Sequence, residues 1–240
     1  MSQIPPIFKR EFIGYFRSPV AYVFLVVFLV ASVGLAFFVG NFFKAGIASL
    51  ESYFMWHTWL FVFFTAAAGM RLWAEEKRSG TMELLFTLPV TTSQAVIGKF
   101  LAAWAFLCLA ILLSFPMAIT VGYLGDPDWG VVGASYFGSM LMAGSFLGVC
   151  SLTSALTRNQ IISFVLSVLI NLVLVFLGWS VFSDLLHAAL PTWLVDLLAN
   201  FSYTTHFEAM KKGIIDPKDI VFFLSLGGLS LFLNVLALER

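Results

Sequence analysis

The residues best suited to chemistry lie in a charged stretch between two long apolar segments, which begins at Arg71 and ends at Lys99. Its centre reads Glu75, Glu76, Lys77, Arg78, Ser79, Gly80, Thr81, Met82 and Glu83. Charges this dense need water, so we expect a polar loop between two membrane spans. Leu84, Leu85 and Leu88 share one side of a helix that Pro89 ends, a pattern typical of a short docking helix.

Catalytic and phosphate-binding motifs are absent from the sequence. The nearest approach to a P-loop is Gly98-Lys99, which has Ser93 in place of the first glycine and Phe100 in place of the hydroxyl residue. No His-Glu-x-x-His motif, Gly-x-Ser-x-Gly motif or metal-spaced Cys/His cluster occurs. We therefore expect no enzyme activity, no bound cofactor and no metal, so energy for any uphill transport must come from another protein.

The spacing of the charges predicts the fold class. The 240 residues are 60% hydrophobic and 11% charged, which lies outside the range of soluble domains. Six charge-free runs of at least 19 residues occur, and each can cross a hydrocarbon core of about 30 Å. We predict an all-α membrane protein, a single transmembrane domain over 1–240. Its predicted spans are 19–43, 53–73, 93–124, 130–156, 160–183 and 220–238.

The distribution of Lys and Arg predicts the orientation of these spans. An even number of spans places both termini on one side of the membrane. The segments on that side hold nine Lys and Arg residues, whereas the segments on the opposite side hold four. Because cytoplasmic loops are the more positive ones, we expect both termini in the cytoplasm.

Two further segments are predicted to lie along the membrane surface. Residues 4–17 place aromatic and aliphatic side chains at helical spacing, which favours an interfacial helix over an irregular leader. Residues 184–219 form the one large outer segment and are expected to contain short amphipathic helices. His57 lies between Trp56 and Trp59, which favours an interfacial position over a role as a proton carrier.

The fourth predicted span is rich in small residues that recur four positions apart. Such spacing lets helix backbones approach closely in lipid, either within the chain or across a dimer. The residues predicted to form this contact are Ala134, Gly138, Ser139, Ala143, Gly144 and Gly148. Asn171 lies in the middle of the fifth span, where an amide needs a partner. That partner is either another helix or a transported substrate.

These features together resemble the permease subunits of ABC-2 type exporters, in particular the gliding-motility and nitrous-oxide-reductase-maturation type. The resemblance rests on Glu75–Leu85, on Thr87-Leu88-Pro89-Val90, and on Gly98-Lys99. It also rests on the outer motif Tyr203-Thr-Thr-His206-Phe207-Glu208 with Gly213-Ile-Ile-Asp216 and Asp219. It implies the ABC-2 exporter fold. In that fold 75–90 is the coupling region that fits a groove of a separate ATPase, 4–17 is the connecting helix, and 184–219 is the outer re-entrant or gate region.

The same resemblance implies the partners and the location of the chain. The expected partners are cytoplasmic ABC ATPase subunits carrying ATP and Mg, a second permease that is the same chain or a paired sister, and an outer-domain protein supplied in trans. The chain would be a multi-pass protein of the bacterial inner membrane, in contact with lipid and without nucleic acid.

Other functions fit the same residues. A membrane anchor or assembly factor that transports nothing would need no ATPase. An intramembrane enzyme would use Ser135, whose surroundings Gly133-Ala134-Ser135-Tyr136 are similar to the serine motif of intramembrane proteases. The apolar spans suit a lipid-linked, glycan or hydrophobic cargo, and equally a device that pulls on a protein, so the substrate stays open.

Overall fold

A computed structural model describes residues 3–40, 42, 49–82, 89–187 and 191–239. The regular elements of this part of the chain are helices, without a strand among them. In chain order they are α1 (Ile4–Phe16), α2 (Pro19–Gly34), α3 (Glu51–Gly69), α4 (Ala74–Ser79), α5 (Thr92–Leu113), α6 (Phe115–Leu124), α7 (Trp129–Leu156), α8 (Gln160–Phe176), α9 (Ser180–His187), α10 (Thr192–Ala199), α11 (Tyr203–Lys211) and α12 (Pro217–Leu238).

Four helical segments among the described residues are long and apolar enough to cross a membrane: Pro19–Val39, Thr92–Leu124, Trp129–Leu156 and Pro217–Leu238. They confirm an all-α membrane protein. The second and fifth predicted spans correspond to α3, of 19 residues, and to α8, a shorter apolar helix of 17 residues. The arrangement of six spans therefore stays a prediction.

Polar caps and prolines set where the long helices begin. Ser18 accepts a hydrogen bond from the Val20 amide and precedes Pro19, whose ring suits a first helical turn. Thr91 Oγ1 accepts from the Gln94 amide at 3.3 Å and caps α5. The Asp128 carboxylate accepts from two amides at the start of α7.

The predicted first and third spans are each interrupted. After Gly34 the first continues as a π-helix, Leu35–Val39, and bends at Gly40 rather than running regularly to residue 43. The third breaks at Ser114, two residues before Pro116, because proline has no amide to continue the hydrogen-bond ladder. The Ser114 hydroxyl donates to the Ile111 carbonyl at 2.6 Å, and the Ser114 amide donates to the same carbonyl at 3.1 Å.

The core is organised around α7, which packs against α3, α5, α8, α11 and α12. A methyl group at Gly148 would come within 3.1 Å of the Gly227 backbone, so α7 and α12 touch nearly backbone to backbone. Trp104 fills the space beside Gly144, and Met210 fills the space beside Gly138. All six small residues predicted to form a helix contact are buried against helices of the same chain.

One residue differs from the sequence-based expectation. His57 is completely buried, with Nδ1 3.1 Å from Ser139 Oγ, because the aromatic side chains around it enclose it in the core. In the outer segment, α11 packs into the helix bundle. Its residues Tyr203 and Phe207 are buried, and the Tyr203 ring stacks on Phe146 of α7 at a centroid distance of 3.9 Å.

Candidate coupling site

A buried lysine joins the charged loop to the rest of the molecule. Lys99 lies on α5 with only 3% of its side chain exposed. Its Nζ donates to Glu76 Oε1 of α4 at 2.7 Å and to Glu11 Oε1 of α1 at 3.2 Å. It also lies 5.4 Å from the centroid of the Trp73 ring, within the range of a cation–π contact. Glu11, Glu76 and Lys99, named here the ion triad, thus connect α1, α4 and α5.

The electrostatics of Glu11 reflect its place in the ion triad. Burial acts to raise the pKa of this carboxyl group. The charge of Lys99 and the contacts with Arg10 act in the opposite direction and outweigh burial, so the pKa lies below its ordinary value. Glu11 is therefore held as a carboxylate that keeps Lys99 paired.

The turn between α3 and α4 is fastened to the end of α7 by Ser154. Its hydroxyl accepts hydrogen bonds from the Trp73 and Ala74 amides, both at 3.0 Å, and donates to the Met70 carbonyl at 3.0 Å. Lys77 adds a second fastening, because its Nζ donates to the Ala155 carbonyl. Burial, and then the charge of Arg158, lower the pKa of Lys77. The loop is thus held in place from the membrane side.

The opposite side of α4 faces outward. Glu75 is more than half exposed and forms a long ion pair with Arg71, at 4.0 Å. Arg78 and Thr81 are exposed as well. Gly80 ends α4 with a φ of 74°, a left-handed conformation that favours glycine, and nothing lies within 4 Å of where its Cβ would be. Within the described residues, no other helix covers the polar groups of this face.

The predicted coupling residues therefore divide into two sets. Glu76 and Lys77 turn inward and bind other helices, whereas Glu75, Arg78, Ser79, Gly80 and Thr81 are exposed, and Met82 is half-buried. Glu83 and the leucines at 84, 85 and 88 lie outside the described residues, so the docking helix predicted there stays a prediction.

Sequence reasoning missed the partners that hold the loop, chiefly Glu11, Lys99 and Ser154. Gly98 offered one usable signal. A Cβ at Gly98 would come within 2.8 Å of Ile7, so this glycine lets α1 pack closely on α5. That approach brings Glu11 to Lys99. No local pattern predicts Ser154, which meets the loop 80 residues away along the chain.

A cavity of about 420 Å³ lies next to the ion triad. Charged groups, Glu11, Arg71 and Lys99, line one part of it, and the aromatic rings of Phe24 and Phe106 line another. The loop is therefore not packed solidly against α1 and α2, and there is space behind it into which side chains can shift.

Asn171 lies on α8, in the core of the helix bundle. Its amide nitrogen donates to Cys150 Sγ at 3.3 Å, and its carbonyl oxygen accepts from the Tyr203 hydroxyl at 3.2 Å. The residue is completely buried. Its polar groups are thus engaged by α7 and α11 of the same chain.

These features define a class of protein: a helical membrane protein whose charged loop is bound to the helix bundle on one side and exposes polar side chains of α4 on the other. Among the described residues no group of His, Cys, Asp and Glu is arranged to hold a metal. The chain belongs to the ABC-2 family transporter proteins, whose family model matches residues 6–238. A comparison with curated proteins gives no match.

Membership of this family fixes the general role of the chain. ABC-2 permeases are the transmembrane components of ABC transporters, have no catalytic activity of their own, and generally work with an ABC ATPase. The chain is therefore a membrane-embedded permease subunit of an ABC transporter.

Proposed function

We propose that this permease couples to a separate cytoplasmic ATPase through residues 75–90 and serves an exporter or a mechanotransmitting complex of the gliding-motility or nitrous-oxide-reductase-maturation type. The observation that carries the proposal is the division of α4 into two faces. Glu75 and Arg78 are free to contact a partner, while Glu76 binds the buried Lys99. A loop that merely solvates its charges needs no such inward attachment.

The inward attachments offer a route for force. A push on the exposed side of α4 reaches α5 and α1 through the ion triad and α7 through Ser154. The cavity of about 420 Å³ behind the loop gives it room to move without a clash. Closure of two ATPases around ATP would thus be transmitted to helices that contribute most of the core.

The proposed assembly lies in the bacterial inner membrane with six spans and both termini in the cytoplasm. A second permease, the same chain or a sister, would pair with this one, and an outer-domain protein would assist in trans. Because Gly138, Gly144 and Gly148 are covered by helices of their own chain, the pairing surface would use helices other than α7.

The test is a pull-down of tagged protein from its native membrane in mild detergent, followed by mass spectrometry. The variant Glu75→Lys/Arg78→Glu reverses two exposed charges and should lose a co-purifying ABC ATPase, while the helix bundle stays intact. Lys218→Glu, at a 70% exposed side chain of the predicted outer surface, is the matched control and should keep the ATPase.

Folding must be separated from binding in this experiment. Each variant is compared with the parent by size-exclusion chromatography and thermal unfolding, since only a folded variant reports on docking. Absence of any ATPase from the parent would contradict the coupling and favour the anchor or assembly factor. Equal loss in the Lys218 control would show that the effect is not specific to the loop.

A further inference from the structure

The outer end of the molecule contains a buried histidine–carboxylate pair. His206 lies on α11, and Asp219 lies in the first turn of α12; His206 Nδ1 is 2.7 Å from Asp219 Oδ1. The second ring nitrogen, Nε2, is 2.9 Å from the carbonyl oxygen of Asn200, at the end of α10. Asp219 is 1% exposed and the His206 side chain 11%, so water solvates neither well.

Hydrogen-bond chemistry sets the number of protons at this pair. A carbonyl oxygen only accepts, so Nε2 must carry a hydrogen to bond Asn200. An ionised carboxylate also only accepts, so the contact with Asp219 needs a hydrogen on Nδ1 or on the carboxyl group. A neutral imidazole has one N–H and cannot supply both. The observed contacts therefore require one proton more than a neutral histidine and an ionised aspartate hold.

We propose that His206 and Asp219 form a proton-binding site that fastens α11 to α12, and that loss of the proton releases α11. Without that proton, one ring nitrogen of His206 carries no hydrogen. If it is Nδ1, its lone pair faces the Asp219 carboxylate; if it is Nε2, its lone pair faces the Asn200 carbonyl oxygen. One of the two contacts must then open. The site takes one proton from the outer side of the membrane and links it to the packing of the outer segment.

The surroundings favour the charged form of the occupied site. The ring of His206 stacks on Phe222 at a centroid distance of 3.9 Å, and an aromatic face attracts a cation. Asp219 lies at the N-terminal end of α12, where the helix dipole stabilises an anion. Asp219 Oδ2 is buried without a hydrogen-bond partner among the described residues, so within them the histidine is the side chain that hydrogen-bonds this carboxylate.

Other titratable groups on nearby elements are engaged elsewhere or unconnected to the pair. Glu208 and Lys211 of α11 bind each other at 2.6 Å, and Lys218 binds Asp216 at 3.1 Å. Lys218 also interacts electrostatically with Asp219. No hydrogen bond or ion pair within the described part of the chain joins His206 or Asp219 to the remaining charged or titratable residues of the adjoining helices. Those residues are Glu51, Tyr53 and His57 on α3, Lys99 and Cys108 on α5, Tyr136 and Cys150 on α7, Asp196 on α10, and Tyr203 on α11.

The consequence of release follows from what α11 covers. Phe207 and Met210 fill the space over Gly138 of α7. At the start of α11, Tyr203 stacks on Phe146 of α7 and donates to Asn171 of α8. Movement of α11 away from α12 would therefore open the packing of α11 against α7, α8 and α12 at the outer end of the molecule. An exporter must let its cargo leave at that end.

Hydrogen–deuterium exchange of the full chain in lipid nanodiscs tests the site. Exchange in peptides covering 200–213 is measured from about pH 5 to about pH 9 and corrected for the intrinsic pH dependence of amide exchange. We expect protection of α11 to fall about tenfold or more as the pair loses its proton, with α5 unchanged. Constant protection of α11 over the whole range would overturn the proposal.

The variant Asp219→Asn makes the test specific. An asparagine amide can donate to Nδ1 of a neutral histidine, so both contacts are satisfied without the extra proton. α11 should then stay protected across the whole range. His187→Gln, which removes the other histidine of the outer segment, should keep the pH dependence of the parent. The assignment would be refuted if the pH dependence of α11 protection survived in Asp219→Asn or disappeared in His187→Gln.

Nitrogen NMR of the parent provides evidence that does not depend on any variant folding. The chain has three histidines, so ring ¹⁵N shifts can resolve His206. While α11 is protected, both ring nitrogens should carry hydrogen, or the Asp219 carboxyl should be protonated. A single neutral tautomer of His206 beside an ionised Asp219, with α11 fully protected, would contradict the proposal.

Discussion

Replacing Lys99 by methionine is the most direct test of the ion triad. Methionine keeps much of the length and the apolar part of the lysine side chain, and it removes the charge and the two hydrogen bonds. It leaves Glu11 and Glu76 facing each other at a position where Lys99 was 3% exposed. We expect a loosened junction between α1, α4 and α5, with no change in the outer half of the molecule.

The magnitude follows from the exposure of the two carboxylates. Removing one partner of a fully buried ion pair costs about 3–5 kcal/mol, because it leaves a charge without compensation. Here the side chains of Glu11 and Glu76 are 25% and 20% exposed, so water screens part of the loss. We therefore expect Lys99→Met to lower the free energy of unfolding by about 2–3 kcal/mol at neutral pH.

The pH dependence of the free energy of unfolding provides an independent test of the ion pair between Glu11 and Lys99. The pKa of Glu11 lies below its ordinary value of 4.5 in the folded parent, because Lys99 and Arg10 outweigh burial. Its ion pair therefore stabilises the fold above that value, and this stability is lost as the pH falls through the folded-state pKa. In Lys99→Met burial dominates instead, so Glu11 takes up its proton at a higher pH than in the parent. The difference in stability between variant and parent should therefore begin to shrink above about pH 4.5 and continue to shrink below it.

Equilibrium unfolding in mixed micelles, followed by tryptophan fluorescence, measures these quantities, since Trp73 lies beside Lys99. The triple variant Lys99→Met/Glu11→Gln/Glu76→Gln is the control. It removes all three charges and should recover most of the stability. Equal stability of Lys99→Met and the parent at neutral pH, or an unchanged acid dependence, would refute the role assigned to the triad.

Three further predictions concern glycines and the buried amide. Gly148→Ala should lower the free energy of unfolding by about 1–3 kcal/mol, because its methyl group would meet the α12 backbone at 3.1 Å. Gly228→Ala, which places its methyl group in open space, should leave thermal unfolding unchanged. Gly80→Val should lower the free energy of unfolding by about 1–2 kcal/mol, because valine disfavours the left-handed φ, and it should weaken ATPase capture. Gly80→Asn should keep both the stability and the ATPase capture of the parent. Asn171→Leu should cost about 1–3 kcal/mol by leaving the Tyr203 hydroxyl unpaired; adding Tyr203→Phe should then cost little more in the same assay.

Local chemistry made several elements predictable from the sequence. The cap at Thr91 and the break near Pro116 depend on groups within four residues, and the structure shows both. The family resemblance was likewise readable from the residues, because the charged run and the long apolar segments lie along the chain. The gliding-motility type and the coupling to an ATPase go beyond the family match and stay proposals.

Long-range contacts explain what the sequence could not predict. Lys99 meets Glu76 across 23 positions and Glu11 across 88, and no periodicity encodes such a meeting. His57 seemed interfacial because tryptophans flank it, yet packing against α7 buries it next to Ser139. The inward position of α11 similarly depends on Phe146, which belongs to a helix more than 50 residues earlier in the chain.

The central position of α7 has a consequence for biogenesis. The helix carries five buried serines, Ser135, Ser139, Ser145, Ser151 and Ser154, a poor surface to leave against lipid. Of the helices that cover it, α8, α11 and α12 are synthesised later. At Ser151, for example, the hydroxyl accepts a hydrogen bond from Asn234 of α12 at 2.7 Å. The nascent α7 must therefore stay with the insertion machinery or with earlier helices until α12 has been synthesised, and a chain that stops before α12 would present quality-control proteases with an uncovered polar span.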